Sequence, residues 1–239
     1  MMKAVIFDLG HTLIDYYHEW RTPEQKAIHQ LYRHLTDYGV VAEEVSFAKD
    51  LSSVLDLGRR KKTEEMVEIP LREVLQRIYE RYGCDGDEDL MVDGFDIFYD
   101  VLVEHRKPFP GTVEMLEGLK ARGYAIGLVS DVAWGLPSEY PQKDMSHFGI
   151  DIFFDDMVFS TDVGLRKPHP RLFKLAVYNL GADIEESIFV GNSLQADIKG
   201  ALNVGLKAIL KDSCYYEHDD SIVPTGKIST WDDLEQFLV

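Results

Sequence analysis

Cysteine is nearly missing from this chain of 239 residues, which has only Cys84 and Cys214. Two isolated cysteines make neither a disulfide framework nor a Cys-x-x-Cys site. A stapled secreted scaffold is excluded, and a cytoplasmic location is expected. Long apolar runs are missing too: nothing approaches the ~20 residues of a membrane span. The N-terminal apolar run is short and charge follows almost at once, so it does not read as a signal peptide. Positive charge is scarce, with 25 Lys and Arg against 42 Asp and Glu and a formal net charge of −17. Such a field repels nucleic acid and anionic membrane, and neither is expected as a partner. It also repels small anions, so an anionic substrate needs a local cation, either a metal or a placed Lys or Arg. There are no internal repeats and no low-complexity tract. What is present is an apolar content of 45%, ample for one large domain or a core with an insert.

Ala4 to Phe7 is an apolar, partly β-branched run that reads as a strand buried on both faces. It stops at Asp8, and Gly10 then frees the backbone to turn. A carboxylate at the carboxyl end of a buried parallel strand lies where open α/β sheets bind ligands. Equally, such an Asp can simply cap the turn. The rest of the chain decides between the two.

Asp15 to Arg21 reads as a loop or hinge. Thr22-Pro23-Glu24-Gln25 then looks like a helix start, with Thr22 as N-cap, Pro23 at the first helical position and Gln25 completing a capping box. Helical spacing continues through Leu35. A second helix ends at Gly58, a third starts at Pro70 and stops before Gly83, and a fourth covers about 90–103. Residues 16–105 thus form an all-helical insert. At Lys107-Pro-Phe-Pro-Gly111 the pattern changes, and from there strands alternate with helices: strands at 124–129, 157–160, 187–190 and 207–210, helices at 113–123, 171–180 and 194–203. Residues 134–146 read as loop, and a short helix begins at Trp231. The fold class is α/β: residues 1–15 and 106–239 make a doubly wound parallel sheet, with 16–105 as the inserted helical domain.

Strand ends bring Asp8, Ser130 and Asn192 toward one crevice, with Asp197 a helical turn beyond Asn192 and Lys167 on a nearby loop. The chemistry is coherent. A carboxylate nucleophile divides a hydrolysis into two easier steps through a covalent intermediate. A hard divalent cation on oxygen ligands neutralises an anionic substrate. A lysine and a hydroxyl bind the remaining oxygens of a phosphoryl group.

Phe7-Asp8-Leu-Gly-His-Thr12-Leu13, Leu128-Val129-Ser130, Gly164-Leu-Arg-Lys167-Pro168-His-Pro170 and Phe189-Val-Gly191-Asn192-Ser193-Leu-Gln-Ala-Asp197 together resemble the haloacid dehalogenase-like (HAD) superfamily, in the family's order. The resemblance implies a Rossmann-like core with a mobile helical cap after the first strand. It implies Asp8 as nucleophile, Ser130, Asp131 and Lys167 as phosphate binders, and Asp8, Gly10, Asn192 and Asp197 around Mg2+. Family members are mostly Mg-dependent phosphatases of small phosphorylated metabolites, working through an aspartyl-phosphate, and monomeric or homodimeric states are both open.

Two positions depart from the family pattern. Its phosphatases carry a second Asp two residues after the nucleophile, as acid/base for the leaving alcohol, and here that position is Gly10. An Asp is usual where Asn192 stands. These departures motivate an alternative, a HAD-fold protein with weak or no turnover that binds a ligand or partner. Dehalogenases of the family place Tyr at the Gly10 position and Asn at the Leu194 position, so carbon–halogen hydrolysis is disfavoured. His11 adjoins the vacancy at Gly10, and either supplies a proton there or packs at the hinge. Arg59-Arg60-Lys61-Lys62 reads as a solvated loop between cap helices that at most attracts anions. Asp85-Gly-Asp87-Glu-Asp89 lacks the glycine and the final Glu of a calcium loop and reads as an acidic helix start. His169, between two prolines, shapes its loop.

Overall fold

A computed structural model describes residues 3–40, 42–213 and 219–238. Cys214 lies outside them. Six parallel strands form one sheet in the order β5-β4-β1-β6-β7-β8. They are β1 (Ala4–Phe7), β4 (Ala125–Ser130), β5 (Asp156–Phe159), β6 (Ile188–Gly191), β7 (Lys207–Lys211) and β8 (Gly226–Ile228). Every residue of β1 is buried, as its uninterrupted apolar run requires. One sheet face, with Val5, Phe7, Ile126, Leu128 and Val190, packs on α5 (Thr112–Ala121) and on Trp231 of a closing 3-10 segment, Trp231–Phe237. The other face, with Ile6, Val129 and Phe189, packs on α8 (Pro170–Asn179) and α9 (Lys199–Val204). The central strand β1 sits between β4 and β6. The chain reverses its order across the sheet at that point, which opens a crevice at the strands' carboxyl ends.

Four helices follow the first strand: α1 (Arg21–Asp37), α2 (Glu44–Glu65), α3 (Leu71–Tyr82) and α4 (Glu88–Val103). The chain enters and leaves this helical insertion through a short antiparallel ribbon of β2 (Ile14–Asp15) and β3 (Lys107–Pro108), with Ile14 opposite Pro108 and Asp15 opposite Lys107. The ribbon is two residues wide, too short to leave a periodic signal, and the stretch reads as loop in the sequence.

Several local expectations change. Helix α1 starts at Arg21, not after a Thr22 cap, because the Glu19 carboxylate accepts the Arg21 and Thr22 amides at 2.8 and 3.1 Å. Helix α2 does not end at Gly58 but continues to Glu65, so Arg59 to Lys62 are helical. Arg59 and Lys62, three apart, share a face and are held by Glu24 and Glu68. Residues 134–146 are not all loop. They contain a 3-10 turn at Ala133–Gly135 and a helix, α6 (Glu139–His147). Pro141 lies in the first turn of α6, where no intrahelical amide partner is lost. Residues 194–203 split into a wide π turn at Leu194–Ile198 and then α9, because the Ser193 carbonyl accepts both the Asp197 and Ile198 amides at 3.0 Å. A four-residue helix, α7 (Ser160–Val163), precedes the Lys167 loop. Asp87 caps α4 by accepting the Leu90 amide at 3.1 Å, so the acidic stretch there starts a helix as its sequence suggests.

Candidate active site

A cavity of about 390 Å³ lies between the carboxyl edge of the sheet and the helical insertion. Asp8, Gly10, Ser130, Asp131, Lys167, Asn192 and Asp197 all line it. The seven residues singled out in the sequence therefore meet in one place.

Asp8 follows β1 directly, and its amide donates to the Val190 carbonyl at 2.9 Å, continuing the sheet ladder. The chain then turns tightly, with the amides of Leu13 and Ile14 both returning to the Leu9 carbonyl at 2.9 and 3.0 Å. His11 takes a positive φ of 60° in this turn. The turn carries the Thr12 hydroxyl back onto Asp8, where it donates to Oδ2 at 2.8 Å. The other Asp8 oxygen, Oδ1, accepts from Lys167 Nζ at 2.6 Å. Burial pushes the Asp8 carboxyl up to about 6, against the pull of Lys167.

Lys167 is the electrostatic hinge of the site. Its Nζ also reaches Asp197 Oδ1 at 2.7 Å and donates to the Val129 carbonyl at 3.0 Å. Burial opposes its charge, but Asp197 and Asp8 outweigh burial and hold the ammonium above its ordinary range. Asp197 Oδ2 accepts the amides of Asn192 and Ser193, each at 3.0 Å. That approach needs Gly191: a Cβ there would lie 2.5 Å from the Asp197 carboxyl. Both Asp197 oxygens are thus engaged, and in this geometry the residue fixes Lys167 and the loop after β6. Asn192 Oδ1 lies 3.4 Å from the Thr12 hydroxyl oxygen, which brings the amide to the Asp8 side of the cavity. Ser130 is buried at the end of β4, and Asp131 Oδ1 accepts the Lys167 amide at 3.0 Å, tying the lysine loop to that strand end. Burial raises the Asp131 carboxyl, against the pull of Arg166 and Lys167.

The oxygen donors present suit a hard cation that keeps most of its water. One carboxylate (Asp8) and one amide oxygen (Asn192) meet at the Thr12 hydroxyl and Gly10 lines the same cavity, while no group of three or more His, Cys, Asp or Glu converges among the described residues. Mg2+ is commonly bound through one or two carboxylates plus substrate phosphate and water, so this sparse set fits it.

The hinge, the insertion and α6 add groups that the sequence did not reveal. Asp144 of α6, fully buried, accepts the hydroxyls of Tyr16 and Tyr99 at 2.7 Å each and pairs with Arg106. Glu68, between α2 and α3, pairs with Lys62 and Arg166 at 2.6 Å each and accepts the Ser160 hydroxyl at 2.5 Å. Glu24 of α1 accepts Arg59 at 2.8 Å and the Trp134 indole N–H at 3.0 Å. Two of these carboxylates stood inside helical or loop patterns with nothing to mark them. For Arg59 and Lys62 the i, i+3 spacing was the available signal. His11 packs edge-on against Tyr16 and Trp20, and its Nδ1 lies 3.1 Å from Asp15 Oδ1. Burial lowers its pKa despite Asp15, which favours the neutral ring.

The chain is similar to known proteins over nearly its whole length. The chain is 29% identical over 249 residues to a glyceraldehyde 3-phosphate phosphatase of Methanothermobacter thermautotrophicus, covering 99% of this chain and 98% of that one. The structure superposes on a 2-haloacid dehalogenase of Pseudomonas syringae with a TM-score of 0.71 at 22% identity, over 99% of this chain and 97% of the other. It likewise matches the HAD-hydrolase YfnB of Bacillus subtilis, solved bound to magnesium, with a TM-score of 0.64 at 21% identity, over 99% and 98% of the two chains. These two likenesses speak for the fold. Residues 2–205 match the haloacid dehalogenase-like hydrolase family, and with the carboxylate, lysine and strand-end loops just described, the chain belongs to that family and is a hydrolase.

Proposed function

We propose that the protein is a Mg2+-dependent phosphatase of a small phosphate monoester that works through an aspartyl-phosphate on Asp8. The observation that carries this reading is the Asp8 carboxylate, set at the carboxyl end of the central strand 2.6 Å from a buried lysine. The full-length similarity to a curated phosphatase supports the reaction class over dehalogenation. So does Gly10, where the dehalogenase pattern requires a tyrosine.

In the first step an Asp8 oxygen attacks phosphorus, the P–O bond to the alcohol breaks, and the alcohol leaves with the bonding electrons. Water then attacks the phosphorus of the aspartyl-phosphate, which releases inorganic phosphate and restores the carboxylate. Lys167 balances the charge that remains on the phosphoryl oxygens, and the Ser130 hydroxyl donates to one of them. Asp131 holds the Lys167 main chain, and Asp197 holds both Lys167 Nζ and the Asn192 loop. Asp8, the Gly10 carbonyl and Asn192 Oδ1 would hold the Mg2+, which supplies positive charge next to the substrate dianion. Gly10 carries no side chain to protonate the leaving oxygen, so solvent protonates it.

The test is hydrolysis of acetyl phosphate with and without Mg2+, in the native protein and in Asp8→Asn. Metal-dependent turnover that disappears in the variant is expected, and turnover that survives it would overturn the mechanism. Gly10 and Asn192 favour a second reading, in which the protein binds a phosphorylated ligand without turnover. Phosphate binding by calorimetry with no hydrolysis of any ester would select that reading.

A further inference from the structure

Above the phosphate end, the cavity changes character. Its upper wall is built from Trp20, Trp134, Leu55, Val74, Leu102 and Leu136. Two of these are tryptophans in edge-to-face contact, with centroids 5.6 Å apart and planes at 85°. Trp134 also meets Phe98 edge-on at 5.2 Å. Its placement is over-determined. Its backbone takes a positive φ of 50°, an uncommon conformation for a bulky residue. Its indole N–H is fixed by Glu24 at 3.0 Å. The next residue is Gly135, where a Cβ would lie 2.3 Å from the Ile69 carbonyl, so the turn is pressed against the helical insertion.

The hydroxyls of the same wall already have carboxylate partners. The Tyr16 and Tyr99 hydroxyls both donate to Asp144, and the Tyr140 hydroxyl donates to Asp96 at 2.8 Å. Each cation that lines the cavity faces a carboxylate: Arg59 with Glu24, Lys62 and Arg166 with Glu68, and Lys167 with Asp8 and Asp197. A polyol would find few donors here. A second acidic group would have to break an existing ion pair. An apolar ring would find two indoles and branched aliphatic side chains.

The missing acid points the same way. An alkoxide leaving group needs a proton in the transition state, whereas a phenolate leaves well without one. Gly10 offers no proton and burial favours the neutral ring of His11, so the site favours esters whose alcohol is already acidic.

We infer that the cavity is selective for monophosphate esters of uncharged aromatic alcohols, with the ring packed against the paired indoles of Trp20 and Trp134 and the phenolate departing past Gly10. This rests on the phosphatase reading above. It names Trp134 as a specificity-determining residue. The P–O bond to the ring oxygen breaks, the oxygen keeps the electron pair, and water protonates it.

The experiment uses the full chain with Mg2+ and four probes: acetyl, 1-naphthyl, benzyl and glycerol phosphate. Naphthyl phosphate should exceed glycerol phosphate in kcat/KM by at least 100-fold. Benzyl phosphate, which has the ring but a poor leaving group, should compete with naphthyl phosphate for the site yet turn over slowly. In Trp134→Ala the KM for naphthyl phosphate should rise at least tenfold while the inhibition constant of inorganic phosphate stays within twofold. Trp134→Phe should recover most of the loss. Hydrolysis of acetyl phosphate with no preference for naphthyl over glycerol phosphate, or failure of benzyl phosphate to compete, would overturn this inference alone. No turnover of any probe would overturn the phosphatase reading and this one with it. The benzyl competition needs no variant, so it decides even if Trp134→Ala does not fold.

Discussion

Gly10→Asp would restore the general acid that the family's phosphatases carry, and the structure has room for it. A Cβ at Gly10 would lie 3.9 Å from the Tyr16 ring, an ordinary van der Waals contact. Gly10 is not among the glycines of positive φ, so a side chain there brings no backbone penalty. The new carboxyl would enter a cavity that already holds Asp8, Asp131 and Asp197, and that company favours the protonated form an acid needs. General acid catalysis is worth about 100- to 10,000-fold in rate, or about 3–5 kcal/mol of transition-state stabilisation. Repulsion between the new group and Asp8 reduces this, so the expected gain on glycerol phosphate is near the lower bound, about 100-fold in kcat. On 4-nitrophenyl phosphate, whose leaving group needs no proton, kcat should change less than tenfold. The assay is phosphate release from both esters at saturating Mg2+, with circular dichroism to confirm folding. An equal gain on both esters, or none on glycerol phosphate in a folded variant, would refute the claim that a missing acid limits this site.

Lys167→Met removes the cation between Asp8 and Asp197. Loss of one partner from a buried ionic cluster costs about 3–5 kcal/mol. Without the lysine nothing offsets the burial of Asp8, which holds its proton above the pKa of the unfolded chain, so stability falls as pH rises past that value. The loss in urea denaturation should therefore be larger at pH 8 than at pH 5. Glu68→Gln leaves Lys62 and Arg166 without their shared partner, and because both are partly solvated the cost should be about 1–3 kcal/mol, read from the same unfolding curves. Asp8 binds its proton with a pKa of about 6, and only its ionised form can hold a metal. Apparent Mg2+ affinity by calorimetry should hold above pH 6 and weaken as pH falls through it. An affinity flat from pH 5 to 8 would remove Asp8 from the ligand set. Asn192→Asp should tighten Mg2+ by about tenfold or more, since each charge–charge contact with a divalent ion at an effective dielectric of about 20 is worth several kcal/mol before desolvation.

The core of this molecule was legible because its signals are local. The β1 run, Asp8 at its end and the strand ends at Ser130 and Asn192 all follow from short apolar stretches that stop at polar residues, and the sheet brings them together. The parts that stayed hidden depend on distant partners. Gly58 looks like a helix end, yet α2 runs through it, with Arg59 anchored by Glu24, far off in sequence, and Lys62 by Glu68 just beyond the helix. Pro141 looks like a breaker, yet it falls where a helix has no amide to lose, and the buried Asp144 goes unnoticed with the helix. Asp197 sits at the expected place, but its role as a brace for two amides and a lysine depends on a π turn that no periodicity signals. The ribbon of β2 and β3 and the short β8 are below the length at which alternation can be read.

Charge within the site gives the two departures from the family pattern one meaning. Around the phosphate position stand Asp8 and Asp197 against Lys167, a local charge of −1. The Arg166, Lys62, Glu68 and Asp131 group beside it sums to zero. An Asp at Asn192 would make the site −2, and an ionised Asp at Gly10 would make it −3. One divalent cation only cancels the first of these and fails to cancel the second. With the residues present, the same cation leaves +1, a sign that draws in a dianion from a surface whose overall charge of −17 repels it. On the phosphatase reading the site would give up metal affinity and an acid and keep a net attraction for phosphate. That exchange suits an ester whose oxygen leaves unaided, and it ties the apolar wall under Trp134 to the bare position at Gly10.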